Sequence, residues 1–214
     1  MPSPTKKVHV GACVFEVCEN VYEPAEDSFL FAENFRVAPT DRVLDMGTGT
    51  GVLGVLAARA AREVVAIDIN PFAVRCAKKN AEQNQVDDKM MFVQADLFTS
   101  LHSQVAFDVI LFNAPYVPTE EAEENSWLGR AWAGGATGRQ VIDRFTSQAP
   151  SHLRQGGRLF LMQSTLAGVE ATRRDLTSQG LRVGIVAELC LPFFETLVLL
   201  RAEKTGEIRG HDYA

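Results

Sequence analysis

One segment constrains this 214-residue chain more than any other: Val43-Leu-Asp-Met-Gly-Thr-Gly-Thr-Gly-Val-Leu-Gly54. A short apolar run ends beside an acid, three glycines alternate with threonines, and an alanine-rich stretch continues to Ala61. That pattern is a buried strand, a tight turn and a helix. Glycine in the turn permits positive φ and leaves no Cβ to block a ligand approaching the backbone. A ligand held there sits at the helix N-terminus, beyond the carboxyl ends of the strands. The same alternation recurs downstream. Strands are predicted over 63–68, 89–94, 107–112, 158–162, 181–189 and 196–201, and helices over 52–61, 71–83, 138–153 and 166–179. Asn70-Pro71 supplies a cap and a first-turn proline for the second of these helices. Upstream, residues 8–18 read as a strand or hairpin and 26–35 as a helix. The arrangement is α/β, a mostly parallel sheet with helices on both faces. Residues 190–195 are too few for a helical crossover, so the last two strands pair antiparallel.

Apolar residues make up 46% of the chain and charged residues 22%, which excludes a disordered chain. No run approaches the ~18 uninterrupted apolar residues of a membrane span. Met1 to Lys7 carries two lysines with no apolar run behind them, so a signal peptide is not expected and a cytosolic compartment is. One domain over 1–214 is expected, with 1–40 as an N-terminal extension and 203–214 as a polar tail. The net charge of −6 leaves no overall cationic footprint for nucleic acid. Cys13, Cys18, Cys76 and Cys190 form no Cys-x-x-Cys pair and the four histidines are scattered, so reduced, packed thiols and no metal site are expected.

Two ligands suit the glycine turn. Gly49-Thr-Gly-Val-Leu-Gly54 matches a dinucleotide fingerprint, and Asp68 stands 19 positions past its first glycine, where a ribose-binding acid belongs. S-adenosylmethionine has a ribose for the same acid but no pyrophosphate, and its methionine part is cationic. Asp45 at the head of the loop suits that charge. Asp96, closing the next strand, suits the adenine amino group. Asp68 could instead cap a helix, and Asp96 could be a plain turn residue. Three acids on three successive strand ends favour S-adenosylmethionine.

The strand over 107–112 delivers Asn113-Ala-Pro-Tyr116 beside that crevice. An amide or aryl amine is a poor nucleophile because its lone pair is delocalised. Two acceptors that grip its N–H groups can tilt the lone pair toward an electrophilic methyl. The Asn113 side-chain oxygen and the Ala114 carbonyl can supply that pair, with Pro115 stiffening the backbone and Tyr116 forming a flat wall. No general base is needed, because the nitrogen sheds its proton once it is cationic; positioning and preorganised acceptors do the rest. A turn after a strand is the bland alternative for the same tetrapeptide. The loop from Val117 to Gly134 is long enough to require a function. Glu120, Glu121, Glu123 and Glu124 would make an acidic rim that attracts a basic protein surface, or simply a solvated run, and Trp127 and Trp132 are wall or packing anchors.

These motifs resemble the class I S-adenosylmethionine-dependent methyltransferases, and within them the HemK-type release-factor glutamine methyltransferases of the short archaeal and eukaryal branch. The resemblance is carried by Val21-Tyr-Glu-Pro-Ala-Glu-Asp-Ser28, by Asn113 to Tyr116, and by Ala131-Trp-Ala-Gly-Gly135 with Gly138-Arg139 and Ile142-Asp-Arg-Phe145. It implies a Rossmann-like, seven-stranded, mostly parallel sheet with an antiparallel C-terminal hairpin. It implies that Ser28, Asp45, Gly47, Gly49, Gly51 and Asn113 surround S-adenosylmethionine, with Asp68 on the ribose and Asp96 and Leu97 on the adenine. Asn113, Ala114, Pro115 and Tyr116 would hold the amide of a Gly-Gly-Gln loop in a peptide release factor. A small zinc-binding activator subunit is also implied, pairing along a sheet edge for which Met90 to Val93 is the candidate, though these residues could equally be core. The family usually has proline where this chain has Ala114, a change that keeps the carbonyl and loses rigidity. Other readings of the same residues are methylation of an exocyclic adenine nitrogen in RNA or DNA, a non-catalytic cofactor-binding scaffold, and a nicotinamide dehydrogenase.

Overall fold

The computed structural model describes residues 6–120 and 125–205. Strands β1 (Lys6–Val10) and β2 (Cys13–Val17) form a hairpin, followed by α1 (Glu26–Asn34). The sheet is built from β3 (Arg42–Met46), β4 (Glu63–Asp68), β5 (Met90–Gln94), β6 (Phe107–Asn113), β7 (Leu153–Ser164), β8 (Leu181–Cys190) and β9 (Thr196–Lys204). Helices α2 (Val52–Ala58), α3 (Pro71–Gln83), α4 (Gln140–Gln148) and α5 (Val169–Ser178) cover it. The seven strands lie in the order β5-β4-β3-β6-β7-β9-β8. β5, β4, β3, β6 and β7 run parallel, and β9 pairs antiparallel with both β7 and β8. This is the Rossmann-like arrangement expected from the strand–helix alternation and the six-residue link between the last strands.

Two apolar layers enclose the sheet. Leu44, Ile110, Leu159 and Leu161 pack against Phe145 and Leu176 of α4 and α5 on one face, while Val43, Val109, Leu111 and Met162 pack against Phe31 and Val55 of α1 and α2 on the other. Alternation along each strand places successive side chains on opposite faces, and both faces are buried, as parallel strands require.

Several element ends differ from the sequence reading. β7 begins at Leu153, five residues before the expected start, and α4 stops at Gln148 where a short 3-10 turn containing Pro150 follows. β9 runs to Lys204, two residues into the expected polar tail, and the rest of that tail beyond residue 205 lies outside the described residues. The expected free thiols are corrected at one pair: Cys18 and Cys76 are joined by a disulfide, with their Cα atoms 5.8 Å apart. The bond staples the end of the hairpin to α3 across 58 residues of sequence, which in a chain-entropy picture is worth about 4 kcal/mol. Asn80 of α3 and Asn84, which caps its C-terminus, support the same contact by acting as a strand mimic. Their side-chain oxygens accept from Glu16 N at 2.8 Å and Val14 N at 3.0 Å, and their amide groups donate to the carbonyls of the same two residues.

The glycine turn is held from behind by Asp45. Its Oδ2 accepts from Thr48 Oγ1 at 2.6 Å and from Gly54 N at 3.0 Å. A Cβ at Gly54 would stand 2.7 Å from that oxygen, so the helix can approach the strand only without a side chain there. Burial pushes the Asp45 carboxyl up to about 7, against the lowering effect of its two donors. An unfolded carboxyl titrates near 4, so between about pH 4 and 7 the folded chain retains a proton that the unfolded chain has lost. The Asp45 contribution to stability is therefore complete below about pH 4 and lost as pH rises through about 7. Urea unfolding between pH 5 and pH 8 should show the native chain losing stability relative to D45N as pH rises; a pH-independent difference would contradict this.

Candidate functional site

A cavity of about 360 Å³ opens at the carboxyl ends of β3, β4, β5 and β6. Ser28, Gly47, Gly49, Asp68, Asp96, Leu97, Asn113, Ala114, Pro115 and Tyr116 all line it. Asp45 and Gly51 do not. Asp45 is 1% exposed and faces the loop interior, and Gly51, at φ 86°, presses against Ala77, whose Cα a Cβ would meet at 3.0 Å. These two residues shape the turn from below while Gly47 and Gly49 face the cavity.

Asp68 ties the turn to the next strand. Its two oxygens accept from Gly49 N at 2.9 Å and from Asn70 N at 2.8 Å. Asn70, and not Asp68, caps α3 by accepting from Phe72 N. Burial raises the Asp68 carboxyl above its ordinary value, opposed by its backbone donors. Asp96 is half-buried and accepts from Arg144 Nη2 at 2.6 Å, so this acid reaches the cavity already paired. Leu97 beside it is buried with φ 49°, a left-handed backbone that a leucine adopts only under constraint. Such residues concentrate at ligand sites.

The centre of the site is Asp27, which the sequence offered only as part of a longer motif. It lies in the first turn of α1, is 5% exposed and gathers five donor groups. Oδ1 accepts from the backbone and hydroxyl of Ser28 and from the Tyr22 hydroxyl. Oδ2 accepts from Asn113 Nδ2 at 3.1 Å and from the Tyr116 hydroxyl at 3.2 Å. A carboxylate only accepts, so the Asn113 amide must present its NH₂ to Asp27 and its oxygen away. Asn113 Oδ1 is buried and has no hydrogen-bond partner among the described residues. Burial and the Asp27 charge both push the Tyr116 and Tyr22 hydroxyls well above the ordinary tyrosine range, keeping them protonated donors.

The long loop folds back to wall this side. Val117 N donates to Trp132 O at 3.0 Å and Gly134 N to Val117 O at 2.8 Å, closing a short ladder. Trp127, Arg130 and Trp132 line the cavity from the loop, with the Arg130 guanidinium over the Trp127 ring. A Cβ at Gly138 would lie 2.3 Å from the Tyr116 carbonyl oxygen, which accounts for a glycine there. Arg139 then pins the segment, donating to the carbonyls of Ala167 and Gly168 and pairing with Asp143 and Asp175. Of the four glutamates expected at the rim, Glu120 is among the described residues; Glu121, Glu123 and Glu124 lie outside them.

Comparison with known proteins agrees with this geometry. Residues 22–128 match the methyltransferase small domain family. A Methanocaldococcus jannaschii protein described as a protein N5-glutamine methyltransferase is 42% identical over 181 residues, covering 84% of this chain and 90% of that one. Human methyltransferase HEMK2 is 33% identical over 208 residues, covering 92% of this chain and 94% of its own. Among solved structures, the Encephalitozoon cuniculi (E. cuniculi) Mtq2–Trm112 complex, responsible for methylation of the eRF1 translation termination factor, superposes with a TM-score of 0.68 at 27% identity, covering 87% of this chain and 99% of that one. The seven-stranded sheet, the Asn113 to Tyr116 turn at its carboxyl edge and these matches place the chain in the HemK-type glutamine methyltransferase family.

Proposed function

We propose that this protein transfers a methyl group from S-adenosylmethionine to the side-chain amide nitrogen of a glutamine, in the Gly-Gly-Gln loop of a peptide release factor. One observation carries the reading: Asn113 lines the cavity, and its Oδ1, turned away from Asp27, is a buried acceptor without a partner among the described residues. Leaving such an oxygen unsatisfied costs roughly 1–3 kcal/mol, which an incoming N–H group would relieve. The Ala114 carbonyl is the second acceptor in this reading, and Tyr116 the flat wall.

The cavity fits the cofactor on grounds of its own lining. Gly47 and Gly49 hold positive φ and line the cavity, and beyond its chain neighbours a Cβ built at Gly49 would meet nothing closer than the Gly47 carbonyl oxygen at 4.0 Å. Asp68 and Asp96 provide carboxylates for the ribose and adenine ends, Leu97 an apolar contact, and Ser28 a hydroxyl near the reacting end. When bound, S-adenosylmethionine supplies an electrophilic methyl group. The protein's part is to grip the acceptor NH₂, set its lone pair and exclude water, with no side chain acting as general base.

A small activator subunit of the kind named in the Mtq2–Trm112 structure is part of the same proposal. β5 is an edge strand that pairs with β4 on one side, and Met91 on it is 61% exposed while Met90 is buried against Gly54. An apolar, unpaired edge is a template for strand addition.

Incubation with labelled S-adenosylmethionine and a release factor should label the native factor and not its Gln-to-Ala variant in the Gly-Gly-Gln loop; equal labelling of both rejects the acceptor. N113A should retain the fold and cofactor affinity while kcat falls about 10²–10³-fold, the usual cost of removing one preorganised partner. D27N offers the Asn113 amide a group that both donates and accepts, so its orientation is no longer dictated, and kcat should drop roughly ten- to a hundredfold with a smaller change in cofactor affinity. M91E should abolish co-purification with a co-expressed activator subunit while leaving the isolated chain folded by circular dichroism.

A further inference from the structure

The β8–β9 turn carries a surface that the catalytic reading does not use. Phe193 and Phe194 are fully exposed, and Leu166 and Leu189 nearby in the fold are also exposed. Both phenylalanines have left-handed backbones, at φ 63° and 65°. Glycine or asparagine would make such a turn without strain, whereas two consecutive phenylalanines make it against both their backbone preference and their hydrophobicity. The tip is also held out from the body. Leu191 is packed on the core and its N–H donates to the Glu195 carbonyl at 2.8 Å, closing the turn at its base. Thr196 N donates to Thr165 Oγ1 at 3.0 Å, fixing the base to the end of β7.

This tip stands on the same edge of the sheet as the candidate site. β9 starts where β7 ends, with Leu197 opposite Ser164, and Met162 of β7 lies opposite Asn113. The turn after β7 brings Ala167 to 3.3 Å from where a Gly138 Cβ would sit, and Gly138 abuts the Tyr116 carbonyl. The Glu195 charge also contributes to holding the Tyr116 hydroxyl protonated, so the base of the tip and the wall of the cavity share one electrostatic environment. A cavity of about 360 Å³ admits a cofactor and one flat group, and it cannot read the fold that presents that group. Selection among proteins that carry an accessible glutamine has to occur on the surrounding surface. Exposed aromatic pairs beside a pocket are suited to that, since aromatic anchors dominate protein interfaces.

We propose that the Phe193–Phe194 tip, backed by Leu166, docks the folded protein that presents the acceptor glutamine, and so determines which protein is methylated. This rests on the glutamine-methyltransferase reading given above. The experiment compares the native chain with F193S/F194S on two acceptors, the intact release factor and a short synthetic peptide containing Gly-Gly-Gln. For the double variant we expect KM for the intact factor to rise about tenfold or more with kcat within twofold, while kcat/KM on the peptide and cofactor affinity by calorimetry stay within twofold of native. An unchanged KM for the intact factor, or an equal loss on both acceptors, overturns the docking role while leaving the glutamine reading in place. If the native chain labels neither acceptor, that reading falls and the docking role with it. Sedimentation of the native chain but not the variant with phosphatidylcholine–phosphatidylglycerol vesicles assigns the tip to a lipid surface, and a native dimer that the variant converts to monomer assigns it to a second copy; either result overturns the proposal.

Discussion

A carboxylate accepts hydrogen bonds and never donates them, and at Asp27 that asymmetry organises the whole reacting end of the cavity. Its Oδ2 faces the amide of Asn113 at the end of β6 and the hydroxyl of Tyr116 just beyond it, while Oδ1 faces Tyr22 and Ser28 from the N-terminal segment. One side chain thus joins α1 to the sheet and settles which end of the Asn113 amide turns away from the carboxylate. Without it the amide would have two orientations of similar energy, and only one presents an acceptor. The helix N-terminus around Asp27 adds a favourable field for its charge. The join between α1 and the sheet and the orientation of the Asn113 amide therefore come from the same contact.

The glycine turn plays a complementary part. Its conformation is enforced from below by Asp45, Thr48 and Gly54 and from the side by Asp68, so the backbone that Gly47 and Gly49 bring to the cavity is fixed in place. Asn80 of α3 donates to the Thr50 carbonyl as well as to Glu16, linking the turn to the hairpin through one amide. Rigid backbone on one wall and an oriented amide on the other leave little for the bound reactants to reorganise, which is what positioning catalysis needs.

Much of this was legible in the residues. The strand–glycine–helix sequence at 43–61 and its repetition gave the parallel sheet, and the short link at 190–195 gave the antiparallel pair, because chain length limits the connection. Asn113 to Tyr116 was legible as a polar turn at a strand end, beside the crevice where open α/β sheets bind ligands. Asp27 was not, because an acid next to Glu26 in a first helical turn is ordinary helix chemistry, and its four partner residues stand up to 89 positions away. The inward aim of Asp45 was equally hidden: it depends on Gly54 being close enough to donate, a fact of helix–strand packing and not of the loop's own sequence. The Cys18–Cys76 bond joins an irregular segment to a helix face, and neither cysteine's neighbours hint at the other.

The close approach of Gly138 to Tyr116 has a consequence for exchanging parts between relatives. Within residues 131–139, Gly138 lies against the Tyr116 carbonyl with no room for a side chain, and Arg139 bolts the segment to the turn after β7. That stretch and Asn113–Tyr116 form one inseparable module, so a graft that swaps either alone would jam. The bridge between Val117 and Ala133 ties the start of the loop to the same module, so it too has to travel with any exchanged part.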